Sequence, residues 1–285
     1  MTAIRRIAYQ GEPGSNSHLV CEQHYPDLES VPCPSFEDVF AAVEGGQGER
    51  SADLAMIPID NTLAGRVADI HHFLPTTSLH IVAEHFLRIR FHLMGMPGTT
   101  IDQVRTVHSH VHALGQCRRL IREHGFTPVI SGDTAGAARE VQEAADPTMA
   151  AISPPLAAGI YGLEVLAEDV EDEAHNTTRF VVLSREPVRA AAGNGPVVTS
   201  FIFNVRNLPA ALYKALGGFA TNGVNMTKLE SYMVGGEFIA TQFLCEVDGH
   251  PDEPGLKRAL EELAFFTTDI KVLGVYPADP HRLEG

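Results

Sequence analysis

The sequence predicts a two-lobed α/β body followed by a small C-terminal domain of the ferredoxin-like βαββαβ kind. Three observations support this fold class. Strand-like and helix-like segments alternate as far as Leu183, residues 184–196 are small and irregular, and the order of the elements changes after them. The expected divisions are a body over 1–183, a linker over 184–196 and a C-terminal domain over 197–279, with lobes of 1–80 plus 167–183 and of 81–166.

The body opens with a predicted βαβ unit. Arg6–Gln10 is a predicted strand, Phe36–Val43 a helix, and Asp53–Ile59 an apolar run typical of a strand covered on both faces. A helix between consecutive strands indicates parallel pairing. The other elements predicted for the body are a helix from about His18, an extended stretch over 81–93, strands over 106–108, 128–130, 150–152 and 178–183, and helices over 111–124, 134–144 and 155–161.

The C-terminal domain is predicted from four strands and two helices. The strands are expected over 199–205, 225–234, 237–247 and 270–276, and the helices over 210–221 and 253–266. Gly235 and Gly236 are expected to form the turn between the second and third strands. The resulting order, βαββαβ, is the ferredoxin-like arrangement.

Composition excludes several classes of partner. The 285-residue chain carries a formal net charge of −15, which repels nucleic acid and anionic membranes. No apolar run approaches the roughly 18 residues that span a bilayer. The absence of an apolar signal core and of any C-x-x-C pair predicts a reduced, cytoplasmic protein. The four cysteines are Cys21, Cys33, Cys117 and Cys245.

Three predicted helices begin with small polar side chains just after a strand. These are Ser15 and Ser17, then Ser109, then Thr134 after Asp133. Free backbone N–H groups and the helix dipole make such starts anion sites, although ordinary N-capping is the favoured explanation for any single one. Three in one body favour a bound carboxylate or phosphate.

Two further stretches carry polar groups at strand ends. Asn61 follows a buried strand, where open α/β sheets place ligand contacts, and a simple Asn turn is the alternative. Thr178, Arg179 and Phe180 combine a hydroxyl, a cation and an aromatic ring. Arg179 can bind a carboxylate, or it can form an ion pair with Asp172 or Glu173.

The histidines His108, His110 and His112 raise the question of a metal site. In a continuous strand their side chains would share one face. The segment is predicted to change from strand to helix here, which separates them, and no neighbouring carboxylate is evident to orient them. Capping and surface roles are therefore expected, with no metal and no cofactor.

The chain resembles prephenate dehydratases with a C-terminal ACT domain along nearly its whole length. The resemblance rests on the order and spacing of many short motifs. They are Tyr9-x-Gly11, Gly14-Ser15-x-Ser17-His18, Pro58-Ile59-Asp60-Asn61-Thr62 with Gly65, Ser109-His110, Ala113-Leu114-x-Gln116-Cys117, Asp133-Thr134-Ala135, Asn176-x-Thr178-Arg179-Phe180 and Asn225-Met226-Thr227-Lys228-Leu229-Glu230-Ser231.

The resemblance implies a fold, a reaction and a set of site residues. The fold is a two-lobed, periplasmic-binding-protein-like catalytic body with an ACT domain. The reaction is the decarboxylating dehydration of prephenate to phenylpyruvate in phenylalanine biosynthesis, with no cofactor. Thr178 matches the essential threonine that assists the departing hydroxyl. The other implied contacts are Asn61, Ser109, Gln116 and Thr134 as catalytic residues, and Ser15, Ser17, Arg179 and Phe180 as substrate-binding residues.

The resemblance also implies feedback regulation by phenylalanine at a subunit interface of a homodimer or homotetramer. The implied regulatory residues are Ala211, Leu212, Asn225, Met226, Glu230 and Ser231. The family's Gly-Ala-Leu motif is Ala210-Ala211-Leu212 here, and its Glu-Ser-Arg-Pro motif is Glu230-Ser231-Tyr232-Met233. These changes add bulk and remove a cation, which weakens the expectation.

Three alternatives remain open. An arogenate dehydratase performs the same chemistry on the amino analogue of prephenate. A non-catalytic amino-acid or anion-binding protein would use the same two-lobed body. A purely regulatory ACT protein with a degenerate front part conflicts with the intact Asn61 and Thr178.

Overall fold

The computed structural model describes residues 5–45, 50–206, 208–233 and 240–283, and the chain divides into two compact units. Unit 1 comprises Met1–Ile70 with His85–Phe180, and unit 2 comprises His71–Glu84 with Val181–Gly285. The elements in chain order are β1 (Arg6–Gln10), α1 (Asn16–His24), β2 (Glu29–Cys33), α2 (Phe36–Glu44), β3 (Leu54–Asn61), β4 (Gly65–Arg66), β5 (His80–Arg88), β6 (His92–Gly95), β7 (Thr106–Ser109), α3 (Val111–Gln116), α4 (Arg118–His124), β8 (Thr127–Ile130), α5 (Thr134–Ala144), β9 (Met149–Ser153), α6 (Pro155–Tyr161), β10 (Glu164–Ala167), β11 (Thr177–Ser184), β12 (Val197–Val205), α7 (Ala211–Thr221), β13 (Met226–Met233), β14 (Ala240–Asp248), α8 (Pro254–Phe266) and β15 (Thr267–Pro277).

The first lobe of unit 1 is the sheet β11-β3-β1-β2, with β4 beside β3, together with α1 and α2. β1 pairs in parallel with β3, as the βαβ pattern predicts, and it also pairs in parallel with β2. The interior of β3 is buried, which explains its apolar sequence. Strand β2 was not predicted, because Pro32 and exposed polar residues obscure its alternation of buried and exposed side chains. Its place at the sheet edge tolerates a proline.

The second lobe of unit 1 is the sheet β10-β6-β9-β7-β8 with helices α3 to α6. β7 pairs in parallel with β8 and β9, whereas β6 is antiparallel to β9 and β10. Strand β10, which is short and largely exposed, was not predicted. Small buried residues of α5 and α6 allow both helices to pack closely on this sheet; they include Ala137, Ala138 and Ala157.

The helix predicted over 111–124 is wrong in one respect, because it is two helices. Cys117 separates α3 from α4 with φ −123° and ψ 32°. The carboxylate of Asp172 accepts hydrogen bonds from the backbone N–H groups of Arg118 (2.9 Å) and Arg119 (3.1 Å). A side chain more than fifty residues away therefore caps α4, and no local pattern encodes it.

The extended stretch predicted over 81–93 is likewise divided, into β5 and β6. The backbone N–H of Ile89 donates to the carbonyl oxygen of Asn176 (2.8 Å). The N–H of Phe91 donates to the carboxylate of Glu171 (2.9 Å). These bonds explain the interruption between the two strands.

Unit 2 contains the predicted βαββαβ order as β12-α7-β13-β14-α8-β15. Its strands lie in the order β13-β14-β12-β15, and each neighbouring pair is antiparallel. Helices α7 and α8 cover a core that includes Phe201, Phe203, Phe219 and Leu263. The turn predicted at Gly235-Gly236 lies outside the described residues, as does the start of the strand predicted from Glu237.

Residues 185–196, all of which the structure describes, lie in turns and irregular segments, where a linker was expected. All four cysteines are buried and free of disulfides. Within the described ranges, no helix combines the length and the apolarity needed to cross a bilayer.

Candidate active site

Asn61 and Thr178 lie together where β3 ends and β11 begins. The Asn61 Nδ2 donates to Thr178 Oγ1 at 2.9 Å. The Asn61 Oδ1 accepts the backbone N–H groups of Leu63 (2.9 Å) and Ala64 (2.8 Å), which is an Asx turn. The turn predicted as the simple alternative for Asn61 is therefore present, and it aims the amide nitrogen at Thr178.

Thr178 is 8% exposed, and its oxygen is already an acceptor. Within the described residues, the structure gives its hydroxyl proton no acceptor. A hydroxyl whose oxygen accepts one bond still has one proton to donate. Thr178 can therefore donate a hydrogen bond to a bound molecule.

Asn176 connects this pair to the second lobe, and it was not among the predicted site residues. Its Oδ1 accepts from Asn61 Nδ2 at 2.7 Å, and its Nδ2 donates to Gln116 Oε1 at 2.8 Å. We call Asn61, Gln116, Asn176 and Thr178 the amide cluster. The signal that could have found Asn176 was its place at the start of the Asn176-x-Thr178-Arg179-Phe180 motif.

Arg179 and Phe180 are both turned into the protein. Arg179 is 6% exposed and its Nη1 lies 3.4 Å from Asp60 Oδ2, so its ion pair is with Asp60 and not with Asp172 or Glu173. Phe180 is 1% exposed, and its ring packs in the interior. The structure does not bring either side chain into the amide cluster.

The other predicted contacts act mainly as helix caps or buried bonds. Ser15 is the N-cap of α1, and its Oγ accepts from the backbone N–H of His18; Ser17 is buried in that helix. Ser109 is fully buried, and its Oγ donates to the carbonyl of Ile152 at 2.5 Å. Thr134 is the first, half-buried residue of α5, for which Asp133 is the N-cap.

The glycine-containing loop after β1 joins the two lobes. Gly14 has φ +92°, and a Cβ there would lie 2.9 Å from the Cα of Ala157 in α6. The guanidinium of Arg139 donates two hydrogen bonds to Glu12, at 2.8 and 3.0 Å. These bonds hold the pKa of Glu12 below its usual range. The positive φ of Gly14 and its close approach to Ala157 together require glycine at position 14.

The three neighbouring histidines separate as the chain leaves β7 for α3. His108 lies in the strand, His110 is the N-cap of α3, and His112 lies in the helix. The His110 ring nitrogen accepts from the N–H of His112 at 3.4 Å. Burial and the neighbouring His112 lower the pKa of His110, so its neutral, accepting form is favoured.

Two of the predicted regulatory residues line a cavity in unit 2. Ala211 and Leu212 border a space of about 250 Å³ together with Arg206 and Phe243. The four others lie on or just before β13. Asn225 is exposed, and its Nδ2 donates to Asp248 Oδ2 at 2.6 Å, while Met226 packs against the core. Glu230 Oε1 lies 3.8 Å from Lys228 Nζ, and Ser231 is exposed. They do not line this cavity.

Ala210, just before α7, adopts the left-handed conformation with φ +60°. A Cβ is strained there, so we expect Ala210→Gly to raise the free energy of unfolding by about 0.5–1 kcal/mol. Ala211→Gly is the matched control and should lower it by about 1 kcal/mol, because Ala211 is helical. Urea unfolding followed by circular dichroism measures both. Equal destabilisation by the two variants would contradict the strain at Ala210.

A model of the prephenate dehydratase family matches residues 7–188, which is more than half of the chain. The chain belongs to the prephenate dehydratase family. It is therefore an enzyme of the carbon–oxygen lyase class. The matched range contains the whole amide cluster and ends before β12.

Two relatives whose names include prephenate dehydratase are similar to this chain over nearly its whole length. A bifunctional N-acyl-homoserine lactone acylase/prephenate dehydratase of Komagataeibacter europaeus is 49% identical over 282 residues, covering 99% of each chain. An arogenate dehydratase/prephenate dehydratase of Arabidopsis thaliana is 35% identical over 287 residues, covering 98% of this chain and 74% of the relative.

Two solved structures share the fold over almost the whole chain. A protein described as a novel type of quorum-quenching acylase, GqqA, superposes with a TM-score of 0.91 at 50% identity, covering 98% of this chain and all of that one. The prephenate dehydratase of Arthrobacter aurescens in complex with L-Phe superposes with a TM-score of 0.86 at 29% identity, covering 96% and 90%.

Proposed function

We propose that this enzyme converts prephenate to phenylpyruvate in phenylalanine biosynthesis. The observation that carries the proposal is the Thr178 hydroxyl. Its oxygen accepts a hydrogen bond from Asn61 at 2.9 Å, and its proton has no acceptor among the described residues. The reaction needs a donor of this kind at the departing hydroxyl.

The reaction requires orientation more than a strong acid. The bond from the ring to its carboxylate breaks, and its electron pair enters the ring as CO2 leaves. The ring C–O bond breaks with its electron pair going to the hydroxyl, which takes up one proton from solvent and leaves as water. Aromatisation drives both steps. A neutral threonine is a weak acid, so Thr178 acts by donating a hydrogen bond that strengthens as negative charge develops on the departing oxygen.

The amide of Gln116 supplies a second donor in this proposal. Its Oε1 is held by Asn176, and its two N–H hydrogens have no acceptor within the described residues. Amide donors suit a substrate carboxylate because they satisfy its oxygens without neutralising the charge that must leave. Of the other predicted contacts, we propose that Thr134 at the start of α5 also faces substrate.

The test is a comparison of three substrates with one preparation of the whole chain. Phenylpyruvate release from prephenate, phenylalanine release from arogenate, and hydrolysis of an N-acyl-homoserine lactone are measured side by side. We expect the largest kcat/KM with prephenate. A larger value with arogenate would reassign the substrate, and turnover of neither dehydratase substrate would refute the proposal.

Hydrolysis of an N-acyl-homoserine lactone is measured because a 49% identical relative carries that acylase activity in its name. Amide hydrolysis needs an activated water or nucleophile. The buried Ser109 hydroxyl donates to a backbone carbonyl, which makes it a poor candidate. Lactone turnover retained in a Thr178→Val variant would assign the two activities to different residues.

We also propose that residues 197–279 form an ACT domain through which phenylalanine inhibits the enzyme, in a cytoplasmic homodimer or homotetramer. The βαββαβ order, the L-Phe bound to the Arthrobacter aurescens relative and the cavity at Ala211 and Leu212 support this. In the prephenate assay, phenylalanine should lower the rate, and the mass measured by light scattering gives the oligomer. Unchanged rates at millimolar phenylalanine would reject the effector.

A further inference from the structure

We propose that Asn176 is a positioning residue that fixes which way the amides of the cluster point, and so which of their atoms meet the substrate. The inference rests on the proposed dehydratase function. Asn176 is 1% exposed, so it acts through its two bonded neighbours and not by contact with the substrate.

The direction of the cluster starts at the backbone. The N–H groups of Leu63 and Ala64 can only donate, so the atom of Asn61 that faces them must be the oxygen. The Asn61 Nδ2 then has two hydrogens and two acceptors, Asn176 Oδ1 and Thr178 Oγ1. All donors and acceptors of Asn61 are used, which leaves none for a ligand.

Asn176 carries this direction across to the second lobe. Its oxygen faces the Asn61 amide nitrogen, so its own nitrogen must face Gln116. The atom of Gln116 that accepts is therefore Oε1, and Nε2 points away from Asn176. The first lobe thereby dictates that Gln116 offers N–H groups, and not its carbonyl, to a negatively charged ligand.

Asn176→Asp tests the direction of the cluster with almost no change of volume. An aspartate can only accept, so it keeps the bond from Asn61 and requires Gln116 to turn its Nε2 inward. The Gln116 carbonyl would then face the substrate carboxylate. We expect kcat/KM for prephenate to fall at least about a hundredfold, with a rise in KM, because one donor is exchanged for a repelling oxygen.

A double-mutant cycle shows whether Asn176 acts through Gln116. Asn176→Ala and Gln116→Leu are each expected to lower kcat/KM at least about tenfold, and the double variant should lose much less than the product of the two. Asn204→Ala removes an amide that donates to Asp269 in unit 2, and it should leave turnover unchanged. Melting temperature and circular dichroism identify any variant that has failed to fold.

The outcomes separate the two proposals. Wild-type chain without turnover of prephenate or arogenate refutes the function and the positioning role together. Active wild type with unchanged kinetics in Asn176→Asp, or with fully multiplicative losses in the cycle, refutes the positioning role alone. If Asn176→Ala does not fold, the kinetics of Asn176→Asp decide whether Asn176 has the positioning role.

Discussion

Replacing Thr178 by valine should lower kcat for prephenate at least about a hundredfold while the protein remains folded. Valine has nearly the same shape, so the change removes the hydroxyl and little else. The lost group is the donor to the departing oxygen, and an interaction that strengthens in the transition state appears in kcat more than in KM. Steady-state phenylpyruvate formation measures both constants.

Two variants control this experiment. Thr178→Ser keeps the hydroxyl and should retain activity within about tenfold of the wild type. Thr177→Val makes the same chemical change one residue earlier in β11, where no side-chain bond is found in the described structure, and should have little effect. Thr178→Val with a kcat near that of the wild type would remove Thr178 from the mechanism.

Replacing Arg282 by methionine should lower the stability of unit 2 by about 3 kcal/mol. The guanidinium bonds Glu84 at 2.6 and 2.9 Å and Glu246 at 3.2 Å. The side chains of both glutamates are at most 1% exposed. Methionine keeps much of the volume but removes the guanidinium that both buried carboxylates share, which is far more costly than loss of an exposed pair.

Urea denaturation, followed by circular dichroism, measures the loss. Arg258→Met is the matched control, because Arg258 is exposed and, among the residues that the structure describes, donates only to Asn222. It should cost less than about 1 kcal/mol. Adding Glu84→Gln to Arg282→Met should recover part of the stability by removing one buried charge. A loss no greater than that of Arg258→Met would show that the cluster contributes little.

The body of the fold was predictable where its pattern is local. The buried apolar run of β3 and the helical spacing of α2 gave the first βαβ unit. The break at Cys117 was not predictable, because the carboxylate of Asp172 that caps α4 comes from elsewhere in the chain. Strand β2 was missed because an edge strand with a proline lacks the usual alternation.

The candidate site likewise has residues that the sequence indicates and contacts that only the folded structure shows. Asn61 and Thr178 were singled out because each is a polar side chain at an end of a buried strand, and their roles at the site stay predictions. Their hydrogen bond, and the bonds of Asn176 to Asn61 and Gln116, were not predicted. Arg179 as a substrate contact stays a prediction. The carboxylate beside it is Asp60 and not the expected Asp172 or Glu173, because only the folded chain determines which carboxylate it meets.

The sequence by itself determined the family motifs, the βαββαβ order of the C-terminal domain, and the short-range turn in which Asn61 accepts two neighbouring N–H groups. Tertiary structure alone decided that Asn176 meets Gln116 across 60 residues and that Arg282 meets Glu84 across 198. Periodicity and turn preferences act over a few residues. The partner of a buried polar group depends instead on which distant segments the packed core brings within hydrogen-bond distance.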